Sequence, residues 1–150
     1  MSEIPVAIAD TNALYRLFTP KDPQHAAHRD ALSAMGHLVV SPMVLTELDY
    51  LLTARVGASA SMNALDFVAR QVEARRFEVP EVAPHLRSAM AVMRGYQDAD
   101  GGQGVGLADA MNVVLAATFQ TADLFTTDRH FRMMRPLTAH GAFRLLPDDL

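Results

Sequence analysis

Short apolar runs alternate along this chain with longer segments whose apolar residues recur at helical spacing. Ile4–Ala9 is such a run and closes on Asp10, the pattern of a strand buried on both faces. Ala13–Phe18 reads as a short helix stopped before Pro20. Asp22 and Pro23 then offer an N-cap and a first helical position for a helix reaching Met35. His37–Val40 is the second strand. Ser41-Pro42 repeats the cap-then-proline signature and starts a helix that runs to Gly57. Ser59–Arg76 is an amphipathic helix, Phe77–Val82 a third strand, and Pro84–Tyr96 a further helix. A glycine-rich loop over Asp98–Gly106 leads into a helix over Leu107–Gln120, with Leu124–Thr127 and Phe143–Leu146 as the last strands. No repeat or linker interrupts the series, so residues 1–150 read as one domain. The alternation predicts an α/β/α arrangement of three layers around a mostly parallel sheet of four to five strands. In such sheets functional groups gather beyond the carboxyl ends of the strands.

Four acidic residues fall at that edge. Asp10 follows the first strand directly, and Asp128 ends the run Leu-Phe-Thr-Thr of the fourth. Asp109 lies in the first turn of the helix that leads into that strand, and a helix antiparallel to its strands starts at their carboxyl edge. Glu47 is about 7.5 Å along the helix after the second strand, with its side chain leaning back toward the helix start. Taken singly, Asp10 and Asp109 are as well explained as helix caps or first-turn acids, and Asp128 as the cap of the turn after it. Glu47, flanked by Val44 and Leu51, falls on or beside the buried stripe of its helix, where an unpaired Glu is rare. Carboxylates so clustered raise one another's pKa and do not all ionise without a cation. Oxygen-only donors suit Mg²⁺, with Mn²⁺ as substitute, and that chemistry serves phosphoryl transfer.

Composition then narrows the field. The chain has no cysteine, which removes disulfides and thiolate zinc sites. Its apolar runs are far shorter than a membrane span, and its opening residues do not resemble a signal peptide, so a cytoplasmic protein with no membrane partner is expected. Net charge is −4, which argues against a broadly basic nucleic-acid surface. Removing the four clustered acids leaves 13 against 13, so the remainder is neutral and an RNA or DNA substrate becomes reasonable. Twelve of the thirteen bases are Arg, the side chain best suited to phosphate; a coding preference explains this as well. Arg129, Arg132 and Arg135 suit an RNA path or a solvated face, His130 stands close to Asp128, and His25 and His28, which share one helix face at i, i+3, have no third ligand and read as exposed. The nine methionines read as core fillers.

The segments Ile8-Ala9-Asp10-Thr11-Asn12, Ser41 to Leu48, Leu107-Ala108-Asp109-Ala110 and Thr126-Thr127-Asp128-Arg129-His130-Phe131, with Phe143 to Pro147 at the close, resemble the PIN-domain nucleases, and within them the VapC-type toxins. The resemblance implies a PIN-like fold and a Mg²⁺-dependent endoribonuclease. Its acidic site would be Asp10, Glu47, Asp109 and Asp128, of which Asp10, Asp109 and Asp128 hold metal, with Thr127 and Asn12 in support. It also implies an RNA substrate, a cognate VapB-like antitoxin and a homodimer. The glycine run Gly101–Gly106 ahead of Asp109 is more elaborate than the family pattern. Two other readings compete. A metal-dependent phosphatase or phosphate-receiving domain also places an Asp after the first strand, but position 12 is Asn and no matching late Lys is present. A non-enzymatic module would use the acidic pocket to accept an Arg or Lys from a partner.

Overall fold

The computed structural model describes residues 3–150. Five short strands form one sheet in the order β3-β2-β1-β4-β5: β1 (Ala7–Ala9), β2 (Leu38–Val40), β3 (Phe77–Glu78), β4 (Asp123–Phe125) and β5 (Arg144–Leu146). Every pairing is parallel, with Ile8 level with both Val39 and Leu124. The helices are α1 (Thr11–Leu17), α2 (His25–Ser33), α3 (Pro42–Arg55), α4 (Ala58–Glu73), α5 (Leu86–Gly95), the single turn α6 (Ala99–Gly102) and α7 (Leu107–Thr118).

Side-chain alternation along the strands divides the core in two. Ala7, Ala9, Leu38, Val40, Phe125 and Leu146 face α1 to α4. Ile8, Val39, Leu124 and Leu145 face α5 and α7, with Phe131 and Phe143 closing that layer edge to face. Both faces of every inner strand are therefore covered, which is why the strands read as unbroken apolar runs. The chain builds β1, β2 and β3 outward in one direction and returns to the far side of β1 for β4 and β5. The order reverses between β1 and β4, and in open parallel sheets a ligand crevice forms outside the strand ends at that point.

Several elements are shorter than their sequence patterns. Pro5 has no N–H to donate, so the expected strand Ile4–Ala9 is reduced to Ala7–Ala9 and a separate bridge between Ile4 and Met35. Pro80 limits β3 to two residues. Asp22 does not cap α2. Its carboxylate accepts the Gln24 N–H at 2.8 Å and a guanidinium hydrogen bond from Arg16 at 3.0 Å, and the helix starts beyond this turn at His25. Ser41 caps α3 as its sequence predicts, accepting from the Met43 N–H. Arg75 adopts φ +60°, and the Arg76 N–H returns to the Gln71 carbonyl, so α4 ends in a Schellman-type turn. Of the two histidines expected at the surface, His28 is instead buried. Its Nδ1 meets the Gln24 carbonyl at 2.7 Å, and its ring lies 5.5 Å from that of Phe125.

Candidate active site

Asp10 is where β1 becomes α1. Its backbone is extended, its Oδ1 accepts the Thr11 N–H at 2.8 Å, and it is nearly sealed from solvent. The β1–β4 register places Ile8 beside Leu124 and Ala9 beside Phe125, so one residue further Asp10 stands beside Thr126. The buried Thr126 hydroxyl donates to Asp10 Oδ2 at 2.8 Å and accepts the Asp128 N–H at 3.0 Å. One hydroxyl thus ties together two acids that are more than a hundred residues apart in sequence. Asn12 adds a second tie, its Oδ1 accepting the Thr127 N–H at 3.0 Å.

Asp109 reaches the same place from α7. Asp10 has the side-chain parity of Ile8, which faces α7, and α7 begins at this edge of the sheet. A second contact fixes the helix there: Asn112, one turn on, donates from Nδ2 to the Ala9 carbonyl at 3.3 Å. Oxygen atoms of Asp10, Asp109 and Asp128 lie within 4.8 Å of one another. Asp10 and Asp128 are also caps, as each taken singly would be: Asp128 accepts the His130 N–H at 2.9 Å at the start of a 3₁₀ turn over Arg129–Arg132. Asp109 has no such role, since no hydrogen bond to its carboxylate occurs among the described residues.

Of the two placements expected for Glu47, on or beside the buried stripe, the structure takes the second. The buried stripe of α3 is Val44, Leu48 and Leu52, and Glu47 is exposed beside it. It belongs to the opposite helical layer and reaches the cluster over the rim, where the Thr11 hydroxyl donates to its Oε2 at 2.8 Å. Together the four acids line a cleft of about 350 Å³ with Asn12 and Leu51.

The electrostatics follow from burial and crowding. Desolvation pushes the Asp10 carboxyl up from 3.8 to about 6, against the pull of hydrogen bonds from Thr126 and Thr11 and with added repulsion from Asp128 and Glu47. Asp109 rises to about 7, again through desolvation first and then through repulsion by Asp10, Asp128 and Glu47. A cluster of this kind holds protons near neutrality, or else a cation.

Asn12 supports the acids as expected, one supporting group lies elsewhere than the sequence predicts, and two contacts were missed. The hydroxyl against Asp10 is that of Thr126; Thr127, the residue favoured from sequence, meets Asn12 only through its backbone N–H. Extending the β1–β4 register by one residue identifies Thr126, but that register is not visible in the sequence. Thr11 as partner of Glu47 was missed, as was the contact of His130 Nδ1 with Asp128 Oδ1 at 2.9 Å. Of the three arginines, Arg132 is engaged by Asp149 through two contacts of 2.8 Å.

Comparison with known proteins places this geometry in context. The PIN domain family profile matches residues 7–135. The chain is 38% identical to Ribonuclease VapC26 of Mycobacterium tuberculosis over 143 residues, which is 93% of this chain and 99% of that protein. Among solved structures, Mycobacterium tuberculosis VapC20, a sarcin-ricin loop cleaving toxin, superposes with a TM-score of 0.67 at 16% identity, over 83% of this chain and 90% of that one. VapBC2 from Rickettsia felis, bound to a DNA fragment from its promoter, gives 0.62 at 15% identity over 93% and 98%. At these identities the two structures speak to the fold alone.

Proposed function

Because this chain belongs to the PIN domain family, and is more than one-third identical to a VapC ribonuclease over nearly its full length, we propose that it is the endoribonuclease toxin of a type II toxin–antitoxin pair. The observation that carries the reading is the trio Asp10, Asp109 and Asp128, three carboxylates within 4.8 Å at the reversal point of the sheet. Two of them are lifted toward neutral pKa by burial and mutual repulsion. Such donors fit a hard divalent cation, Mg²⁺ with Mn²⁺ as substitute, better than any softer metal.

When bound, that cation would neutralise charge on the phosphoryl oxygens and favour ionisation of an attacking water. The chain's own residues do the rest. Asp10 is held by Thr11 and Thr126, and the same Thr126 hydroxyl accepts the Asp128 N–H, so these two acids are tied to one another without substrate. Glu47, exposed at the rim and fixed by Thr11, is placed to orient a water for in-line attack on an RNA phosphodiester and to accept its proton. Thr126 and Asn12 position the acids. A cognate VapB-like antitoxin is the expected inhibitor, and a homodimer the expected assembly; among solved neighbours of this fold is a toxin–antitoxin complex from Klebsiella pneumoniae (TM-score 0.58).

The test is cleavage of a structured RNA by purified protein with Mg²⁺, with chelator, and by Asp109→Asn. Cleavage should require the cation and collapse in the variant while the fold persists. Cleavage that survives chelation rejects the metal site. If wild type cleaves no RNA but binds an Arg-containing antitoxin segment, the acidic pocket is a binding module.

A further inference from the structure

The glycine-rich segment ahead of Asp109 finds no use in the reading above, yet it builds a second cavity. The chain leaves α5 at Tyr96, makes the single turn α6, and folds back so that the Gly104 N–H meets the Ala99 carbonyl at 2.8 Å. Gly104 has φ +71°, a left-handed conformation that side chains rarely adopt and glycine takes freely. Asp100, Gly101 and Gly102 also have positive φ, which curls the segment tightly enough to leave a hollow beneath it. That hollow measures about 180 Å³, and its walls include Tyr96, Ala99, Asp100, Val105, His130 and Met133. Asp109 and Gly106 line both this hollow and the acidic cleft, so the two spaces share a wall.

We propose that this hollow is a nucleobase subsite, taking one unstacked base of RNA next to the phosphodiester held at the acids. The inference rests on the ribonuclease reading and adds to it a determinant of which RNA is cut. Three features support a base over other occupants. The volume is well below the ~300–1,000 Å³ of sites for larger ligands and suits a single planar heterocycle. An aromatic ring and an exposed thioether, Tyr96 and Met133, offer the soft surface on which bases stack. The Tyr96 ring is fixed before any ligand arrives, because its hydroxyl accepts the Arg135 N–H at 2.9 Å. Polar groups on the wall, Asp100 and His130, are of the kind that read a base edge. Continuity with the acidic cleft then makes the occupant part of the same strand as the scissile phosphate.

The experiment uses the full chain with Mg²⁺ and a short RNA that wild type cuts at one position. Each nucleotide flanking the cut is replaced in turn by an abasic one. Abasic substitution at one flank should slow wild-type cleavage by about 5- to 100-fold, the range expected for loss of one stacked base. Ala99→Leu, which narrows the hollow and replaces none of the acids, should slow cleavage of the intact RNA by a similar factor. It should cut the abasic RNA no more slowly than wild type does. Met133→Ala, at an exposed position with little bearing on the fold, should give part of the same loss and the same insensitivity to the abasic site. If Ala99→Leu and Met133→Ala slow intact and abasic RNA alike, or if no abasic flank matters to wild type, the hollow is not a base subsite although the ribonuclease reading stands. If wild type cuts no RNA at all, the ribonuclease reading fails and takes the subsite with it.

Discussion

Replacing Asp109 by Asn should stabilise the metal-free protein, and by an amount that grows with pH. Asp109 ionises near pH 7 in the folded state, against 3.8 when free, and among the described residues its carboxylate receives no hydrogen bond that the substitution would remove. A carboxyl with a raised folded pKa costs nothing below about pH 3.8, where folded and unfolded states are both protonated. As pH rises, the unfolded chain ionises first, so the folded state loses stability until pH passes 7. At about 1.4 kcal/mol per pH unit the full penalty approaches ~4 kcal/mol. Partial solvent access and the relaxation of Asp10, once its neighbour is neutral, reduce this to about 2–3 kcal/mol. For a chain of this size that is a rise in melting temperature of roughly 4–12 °C at pH 8, shrinking toward zero near pH 4. Denaturant unfolding with chelator at pH 4, 6 and 8 reads the difference directly. A variant no more stable than wild type at pH 8, or a gap independent of pH, would refute the claim that Asp109 is a desolvated, crowded carboxyl.

Other substitutions separate the acids by what holds them. Asp10→Asn keeps an acceptor for the Thr11 N–H and relieves a carboxyl raised to about 6, so its metal-free melting temperature should be unchanged or higher; a marked fall would make capping its main role, worth typically ~1 kcal/mol. Thr126→Val removes the hydroxyl that lowers the Asp10 pKa and leaves the half-buried Asp128 N–H without its acceptor. It should cost about 1–3 kcal/mol in denaturant unfolding and move the acid limb of the cleavage profile to higher pH, because Asp10 must still ionise. Mn²⁺ at about a hundred times its Kd should raise wild-type stability by ~2.7 kcal/mol and leave Asp109→Asn nearly unmoved, as thermal melts with and without the ion would show.

The fold was legible where a residue type has one structural meaning. Ser41-Pro42 starts α3 because the cap and the missing proline donor act through the local backbone alone. Asp22-Pro23 presents nearly the same signature and fails, since Arg16 and the Gln24 N–H both claim the carboxylate, and Arg16 comes from the preceding helix. His28 fails for a similar reason: its burial depends on α2 lying across Phe125, a contact that spacing within α2 does not disclose. Boundaries set by proline were in the sequence as well, at Pro5 and Pro80, but the alternating apolar pattern on either side masked them.

The candidate site divides along the same line. That Asp10, Asp109 and Asp128 share an edge follows from strand and helix direction, and needs no knowledge of which strands pair. What direction cannot supply is depth. Asp10 and Thr126 carry on the parity that faces α7, whereas Glu47 rises from the layer on the other side of the sheet. The sheet itself therefore separates the trio, with Asp10 buried and Asp109 and Asp128 half-buried, from the exposed fourth acid, and Thr11 links the two by offering its N–H to Asp10 and its hydroxyl to Glu47. The arrangement assigns different work to chemically similar groups. In the proposed reaction Asp10 and Asp109, both raised toward neutrality by desolvation, would hold the cation, and Glu47, exposed at the mouth, would face the attacking water. Spacing along the chain treats the four acids alike; their difference comes from which side of the sheet each one approaches.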